Sequence, residues 1–163
     1  MDSGYFELHF RPTIGLVTVV RRFVTSFYER LLRDPEGTSR VALTTHELLE
    51  NSVKYAKDGE TQLRIDVERA TGRVRIRLRN RADPVHVAAI REILDGIRDT
   101  GDPMQFYQDL LVRKVRDDES STGGLGLARI CAEADMEISF EVDGDVVVLE
   151  STTTVRPSRS RND

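Results

Sequence analysis

Two short stretches of this 163-residue chain carry residue types whose spacing has chemical meaning. Thr44, Glu47, Asn51 and Lys54 are three, four and three positions apart. On a helix that spacing sets a hydroxyl, a carboxylate, an amide and an ammonium along one polar ridge. Some seventy residues later, Gly123-Gly124-Leu125-Gly126 runs straight into a helical stretch. Such a turn presents consecutive backbone N–H groups and the positive end of the helix dipole, which together make an anion site suited to phosphate. Taken singly, the ridge is an ordinary solvated helix face and the glycines a linker or a tight helix entry. Other motifs fail. His46-Glu47 begins like a zinc-protease signature, but Glu50 stands where the second histidine is required. His46 also lacks the long dimerising helical hairpin that surrounds a sensor-kinase phosphoacceptor. His9 and His86 have no partner pattern, and Cys131, among Ile130, Ala132 and Ala134, reads as a small buried thiol.

The elements that must position these groups follow from periodicity. Phe6, Leu8 and Phe10 alternate with Glu7 and His9 as in a half-buried strand. After Pro12, Ile14, Val17, Val20, Phe23 or Val24, Phe27 and Leu31 recur at helical steps. Asp34-Pro35-Glu36-Gly37 predicts a turn ending that helix, with Ser39 capping a second one through about Ala56 and Lys57-Asp58-Gly59 closing it. Two strands, Leu63/Ile65/Val67 and Val74/Ile76/Leu78, are joined by Thr71-Gly72. Arg73, Arg75, Arg77 and Arg79 line the second strand's other face, where Asp66 and Glu68 across the pair predict a salt-bridged surface rather than a phosphate site. Asp83-Pro84 and Asp102-Pro103 each open a further helix. The first carries Val85, Ala88, Ala89, Ile93 and Ile97 as its apolar face. A polar segment over 116–122 leads into the glycines and a helix toward Ala134, and a last hairpin turns at Asp143-Gly144. The predicted fold class is α+β: a two-layer sandwich in which one mixed, mostly antiparallel sheet carries helices on a single face.

Composition bounds the function. A chain of 18.5 kDa is one domain, predicted over 1–154, with residues 155–163 a disordered polar tail. There is no apolar run of membrane-spanning length and no secretion signal, and a lone cysteine excludes an internal disulfide, so a cytoplasmic location is expected. A net charge of −4 gives no general pull toward nucleic acid, and none is expected as a partner; neither is a membrane.

Together the two stretches resemble the GHKL ATPase family, which includes histidine-kinase ATP domains, gyrase-type ATPases and anti-sigma-factor serine kinases. Glu47-Leu48-Leu49-Glu50-Asn51-Ser52-Val53-Lys54-Tyr55-Ala56 resembles the family's N-box, and Ser121-Thr122-Gly123-Gly124-Leu125-Gly126-Leu127 its second glycine box. The order of elements over nearly the whole chain is similar to the small anti-sigma kinases, with the SiaB-like branch the nearest likeness. The resemblance implies a sandwich holding ATP between the N-box helix and a mobile lid. By residue, it implies Asn51 as a Mg²⁺ ligand and Glu47 as the general base. Lys54 becomes a charge partner near the phosphates, and Gly123, Gly124, Leu125, Gly126 and Leu127 a backbone wrap around them. It implies a lid over residues 99–122 whose polar loop orders only when the γ-phosphate is present.

The sequence departs from the family at the first glycine box. Asn80 stands where the family has the adenine-recognising aspartate, and Ala82 and Pro84 replace its glycines. The Asn80 carbonyl still offers an acceptor to the adenine amino group. The expectation is a serine/threonine kinase of the partner-switching type acting on a small antagonist protein, with a sigma factor or other regulated protein as a further partner. Homodimerisation is common in the branch. The rival reading is a non-catalytic binding module of the same fold with weakened ATP binding, and a third is an ATPase that hydrolyses rather than transfers.

Overall fold

The computed structural model describes residues 3–32, 34–116 and 124–155. Gly123, most of the polar segment before it and nearly all of the C-terminal tail lie outside the described residues. The chain runs β1 (Ser3–Phe10), α1 (Ile14–Leu32), α2 (Pro35–Tyr55), β2 (Ala56–Glu68), β3 (Arg73–Ala82), α3 (Pro84–Thr100), α4 (Pro103–Arg116), α5 (Leu125–Glu133), β4 (Glu137–Asp143) and β5 (Val146–Thr154). The strands form one five-stranded sheet in the order β1-β2-β3-β5-β4. Every pairing in it is antiparallel. The fold is thus the expected α+β sandwich.

Period-two alternation places Leu63, Ile65 and Val67 beside Leu78, Ile76 and Val74 on one sheet face, all at most 1% exposed. Val17, Val20, Val24, Tyr28 and Leu32 of α1, with Val41, Leu48 and Leu49 of α2 and Ile130 of α5, close over them. Phe23 and Ile14 instead remain exposed. The buried stripe on α1 therefore follows the Val24 alternative.

The opposite sheet face is charged, as expected, but its pairs are drawn differently. Asp66 is held by Arg64 on its own strand at 2.9 Å, while Arg75 and Arg77 turn to Glu150 of β5.

α2 begins earlier than predicted. The Asp34 carboxylate accepts from the N–H groups of Glu36 and Gly37, both at 3.1 Å, and Pro35 occupies the first turn. Asp34-Pro35 is therefore a helix start, and Ser39 lies inside the helix. At the other end α2 stops at Tyr55, and β2 starts at Ala56 with a register shift before Thr61.

α3 has no fully buried residue. Val85, Ala88 and Ala89 are exposed, so the apolar face predicted for α3 is only half covered. Phe106 and Leu110 of α4 pack with Ala128 of α5, Ile93 and Ile97 of α3. Gly96 permits this, since a Cβ there would stand 2.5 Å from the Phe106 ring. The described part of the 99–122 segment is accordingly a docked helix, α4, preceded by a left-handed Gly101 (φ 68°) that ends α3.

Candidate functional site

α2 carries the ridge and α5 the glycine turn, and the two helices meet where the motifs lie. Glu47 is 9% exposed, in the middle of α2. Asn51 follows one turn later and is half-buried. A Cβ on Gly126 would stand 2.7 Å from Glu47 Oε2 and 3.6 Å from both the oxygen and the nitrogen of the Asn51 amide. Gly126 is thus required for close approach: any side chain would displace the carboxylate. Gly124 is required for conformation as well. Its φ is +85°, and a Cβ would lie 2.7 Å from Ile93.

A cavity of about 590 Å³ opens beside this junction, between α2, the sheet, α3 and α4. The volume falls within the range of small-ligand sites, about 300–1,000 Å³. Asn51, Asn80, Gly124 and Leu127 line it, with Leu78 and Leu149 as its floor. Half-buried Asn80 falls between buried Leu78 and Ala82 on the helix-facing side of β3, which places its polar side chain in a largely apolar wall. Tyr55 and His86 pack ring on ring at 4.7 Å along the same wall, and His86 Nδ1 is buried without a partner among the described residues.

The first glycine box has no loop equivalent. β3 stays in its ladder to Ala82, whose N–H bonds the Asp145 carbonyl at 2.9 Å, and α3 starts two residues later.

Of the ridge residues Asn51 alone lines the cavity; Glu47 does not, and neither do Leu125 and Gly126. Thr44 is fully buried, its hydroxyl donating to the Arg40 carbonyl and contacting Met136 Sδ at 2.9 Å, so it is a packing residue and not part of a wet ridge. Lys54 lies 3.6 Å from Glu50, on whose other oxygen His46 closes to 3.1 Å, and it is outside the cavity lining. Leu125 and Gly126 belong to the first turn of α5, where Gly124 stands at the N-cap and, among the described residues, no side chain caps it. A helix start of this kind favours an anion through its leading N–H groups and its dipole.

Sequence reasoning missed three groups. Arg113 and Lys114, in the last turn of α4, line the cavity and bring positive charge to it. Their signal was a basic helix end just before the glycine turn. Arg129 reaches across from α5, its Nη1 donating to Glu47 Oε1 at 3.0 Å and its Nε to Glu133 at 2.7 Å. These bonds, that to Glu133 foremost, hold the guanidinium further in its charged form than usual. Cys131 is half-buried, less than expected, and burial still pushes its thiol up to about 11.

The donor set fits a magnesium nucleotide: an amide carbonyl for the metal, a helix start and two cations for phosphates, and an apolar slot for a base. Magnesium keeps most of its waters and takes few protein ligands. A single Asn51 carbonyl beside substrate phosphates is therefore sufficient. Among the described residues no group of three His, Cys, Asp or Glu stands ready to hold a metal.

The fold is a two-layer α+β sandwich with the two motifs brought together where α2 meets α5, and comparison with known proteins places it in a family. The histidine kinase-like ATPase domain family matches residues 10–150, and the chain belongs to that family. A chain in the crystal structure of the SiaB-SiaC complex from Pseudomonas aeruginosa shares the fold, with a TM-score of 0.67 at 12% identity. The match covers 91% of this chain and 88% of that one. No curated protein sequence matches significantly. Among the described residues no helix is long and apolar enough to cross a membrane.

Proposed function

We propose that the chain is a SiaB-like regulatory serine/threonine kinase of the anti-sigma, partner-switching type. It transfers the γ-phosphate of Mg·ATP to a hydroxyl on a small antagonist protein. The observation that carries this reading is the approach of Gly126 to both Glu47 and Asn51, the latter lining the cavity. Residues 1–154 act as the ATP-binding domain and 99–122 as its lid. Bound Mg·ATP supplies the electrophilic phosphorus and the neutralising metal charge.

The chain's residues do the rest. Asn51 offers its carbonyl to the metal. The first turn of α5 and the cations Arg113 and Lys114 hold the phosphates. Asn80 accepts from the adenine amino group, and Tyr55 and His86 wall the base. Glu47 takes the proton of the acceptor hydroxyl as its oxygen bonds to phosphorus and the bond to the bridging oxygen breaks, ADP leaving with that electron pair. A partner complex for the structurally similar SiaB-SiaC chain supports an output through another protein, either the antagonist or a sigma factor. Self-association is supported by the edge position of β1 and the exposed Val19 and Phe23 on neighbouring α1.

The test is transfer from γ-labelled Mg·ATP to the protein that co-purifies with the chain. Wild type labels a Ser or Thr, and Glu47→Ala binds nucleotide without labelling. Loss of nucleotide binding in Glu47→Ala would give Glu47 a structural role instead. The non-catalytic module remains the second reading because β3 runs unbroken to Ala82 where the adenine loop is expected. Nucleotide binding without any transfer favours it.

A further inference from the structure

The geometry points to Arg129 as the positioning residue for Glu47, an assignment that rests on reading Glu47 as the base. Glu47 is almost fully buried, yet the cation that compensates it comes from another helix 82 positions along the chain. A buried carboxylate without such a partner is costly, and a glutamate side chain left free rotates about three bonds. Arg129 answers both needs. Its Nη1 occupies Oε1 at 3.0 Å, and its Nε is itself anchored to Glu133, one turn on, at 2.7 Å. A guanidinium anchored on Glu133 holds its Nη1 in place, and the charge-assisted bond from it restrains the Glu47 carboxylate at Oε1. Oε2 is then left for a hydroxyl proton, beside the side-chain-free Gly126. The arrangement couples the base to α5, the same helix whose first turn faces the phosphates. Neither Arg129 nor Glu47 lines the cavity, and Arg129 spends its donors on Glu47 and Glu133, so its effect on the reaction passes through Glu47.

Hydrolysis of γ-labelled Mg·ATP by the full chain, with water in place of the acceptor hydroxyl, tests this. Arg129→Gln lowers kcat by about 10- to 100-fold, the scale of a misaligned catalytic group, and leaves KM for ATP within about twofold. Arg129→Lys restores part of kcat, since an ammonium can still donate to Glu47 Oε1 but loses the second anchor on Glu133. A kcat at wild-type level or above in Arg129→Gln, or no rescue by lysine, overturns the assignment.

A second measurement needs no nucleotide. In denaturant unfolding, Arg129→Gln lowers the folding equilibrium constant about tenfold when residue 47 is Glu and far less in the Glu47→Gln background. Equal losses in the two backgrounds overturn the pairing. A wild-type chain that never hydrolyses or transfers defeats the reading of Glu47 as base, whereas an active wild type with an unaffected Arg129→Gln defeats only the role of Arg129.

Discussion

Gly126 and Glu47 stand so close that a methyl group on the glycine would lie 2.7 Å from the glutamate's Oε2. Glu47 is pinned on its other oxygen by Arg129 and cannot retreat without breaking a 3.0 Å bond. Gly126→Ala is therefore expected to abolish phosphotransfer while costing about 1 kcal/mol of stability, the low end of the overpacking range, because the displaced atom is the end of a side chain. Gly124→Ala, which adds a left-handed backbone penalty to a clash with Ile93, costs more, about 2–4 kcal/mol. Chemical denaturation of both variants, with circular dichroism as readout, checks the ranking.

Asn80 is the polar group at the deep end of an apolar wall, and it carries base selectivity in this account. Asn80→Ala weakens ATP binding about tenfold, the loss of one or two hydrogen bonds in a partly desolvated site. Binding of GTP changes less. Competition between the two nucleotides for the site gives the ratio directly.

Asp145 titrates below its ordinary value because Arg81 donates hydrogen bonds to its carboxylate at the start of β5. A carboxylate lowered on folding stabilises the native state above its ordinary pKa and loses that contribution as pH falls through the lowered one. Asp145→Asn therefore reduces Tm at neutral pH and converges with wild type on the acid side, below about pH 4. A Tm-against-pH series on the two proteins shows whether the curves meet there.

Cys131, with its thiol pushed up to about 11 by burial, holds only about one part in a thousand as thiolate at pH 8. Alkylation by iodoacetamide is expected to be at least about 100-fold slower than that of glutathione. Mass spectrometry over a time course measures it, and full denaturation restores the ordinary rate.

What the sequence reveals about this molecule depends on distance along the chain. Strands β2 and β3 were legible because Leu63, Ile65, Val67, Val74, Ile76 and Leu78 alternate strictly and a one-residue slip would expose them all. The meeting of Glu47 and Asn51 with the glycine turn was legible through motif resemblance and not through periodicity. Asp34-Pro35 does follow the end of α1, but it also opens α2, as Asp83-Pro84 and Asp102-Pro103 open α3 and α4. The apolar run before it continues so smoothly that the dipeptide read only as its terminator.

Thr44 shares the helical spacing of Glu47 and Asn51, but α5 and Met136 cover its turn of α2. Arg129 has no local signature at all. Its role exists only because α2 and α5 pack, a tertiary relation that spacing within either helix does not encode.

The central claim is that the junction of α2 and α5 binds a magnesium nucleotide despite the altered first glycine box. Calorimetric titration of the chain with ATP, with and without Mg²⁺, tests it most directly. The account predicts saturable heat that requires Mg²⁺ and disappears in Asn51→Ala. No heat at millimolar Mg·ATP, or binding that is indifferent to Asn51→Ala, would contradict it.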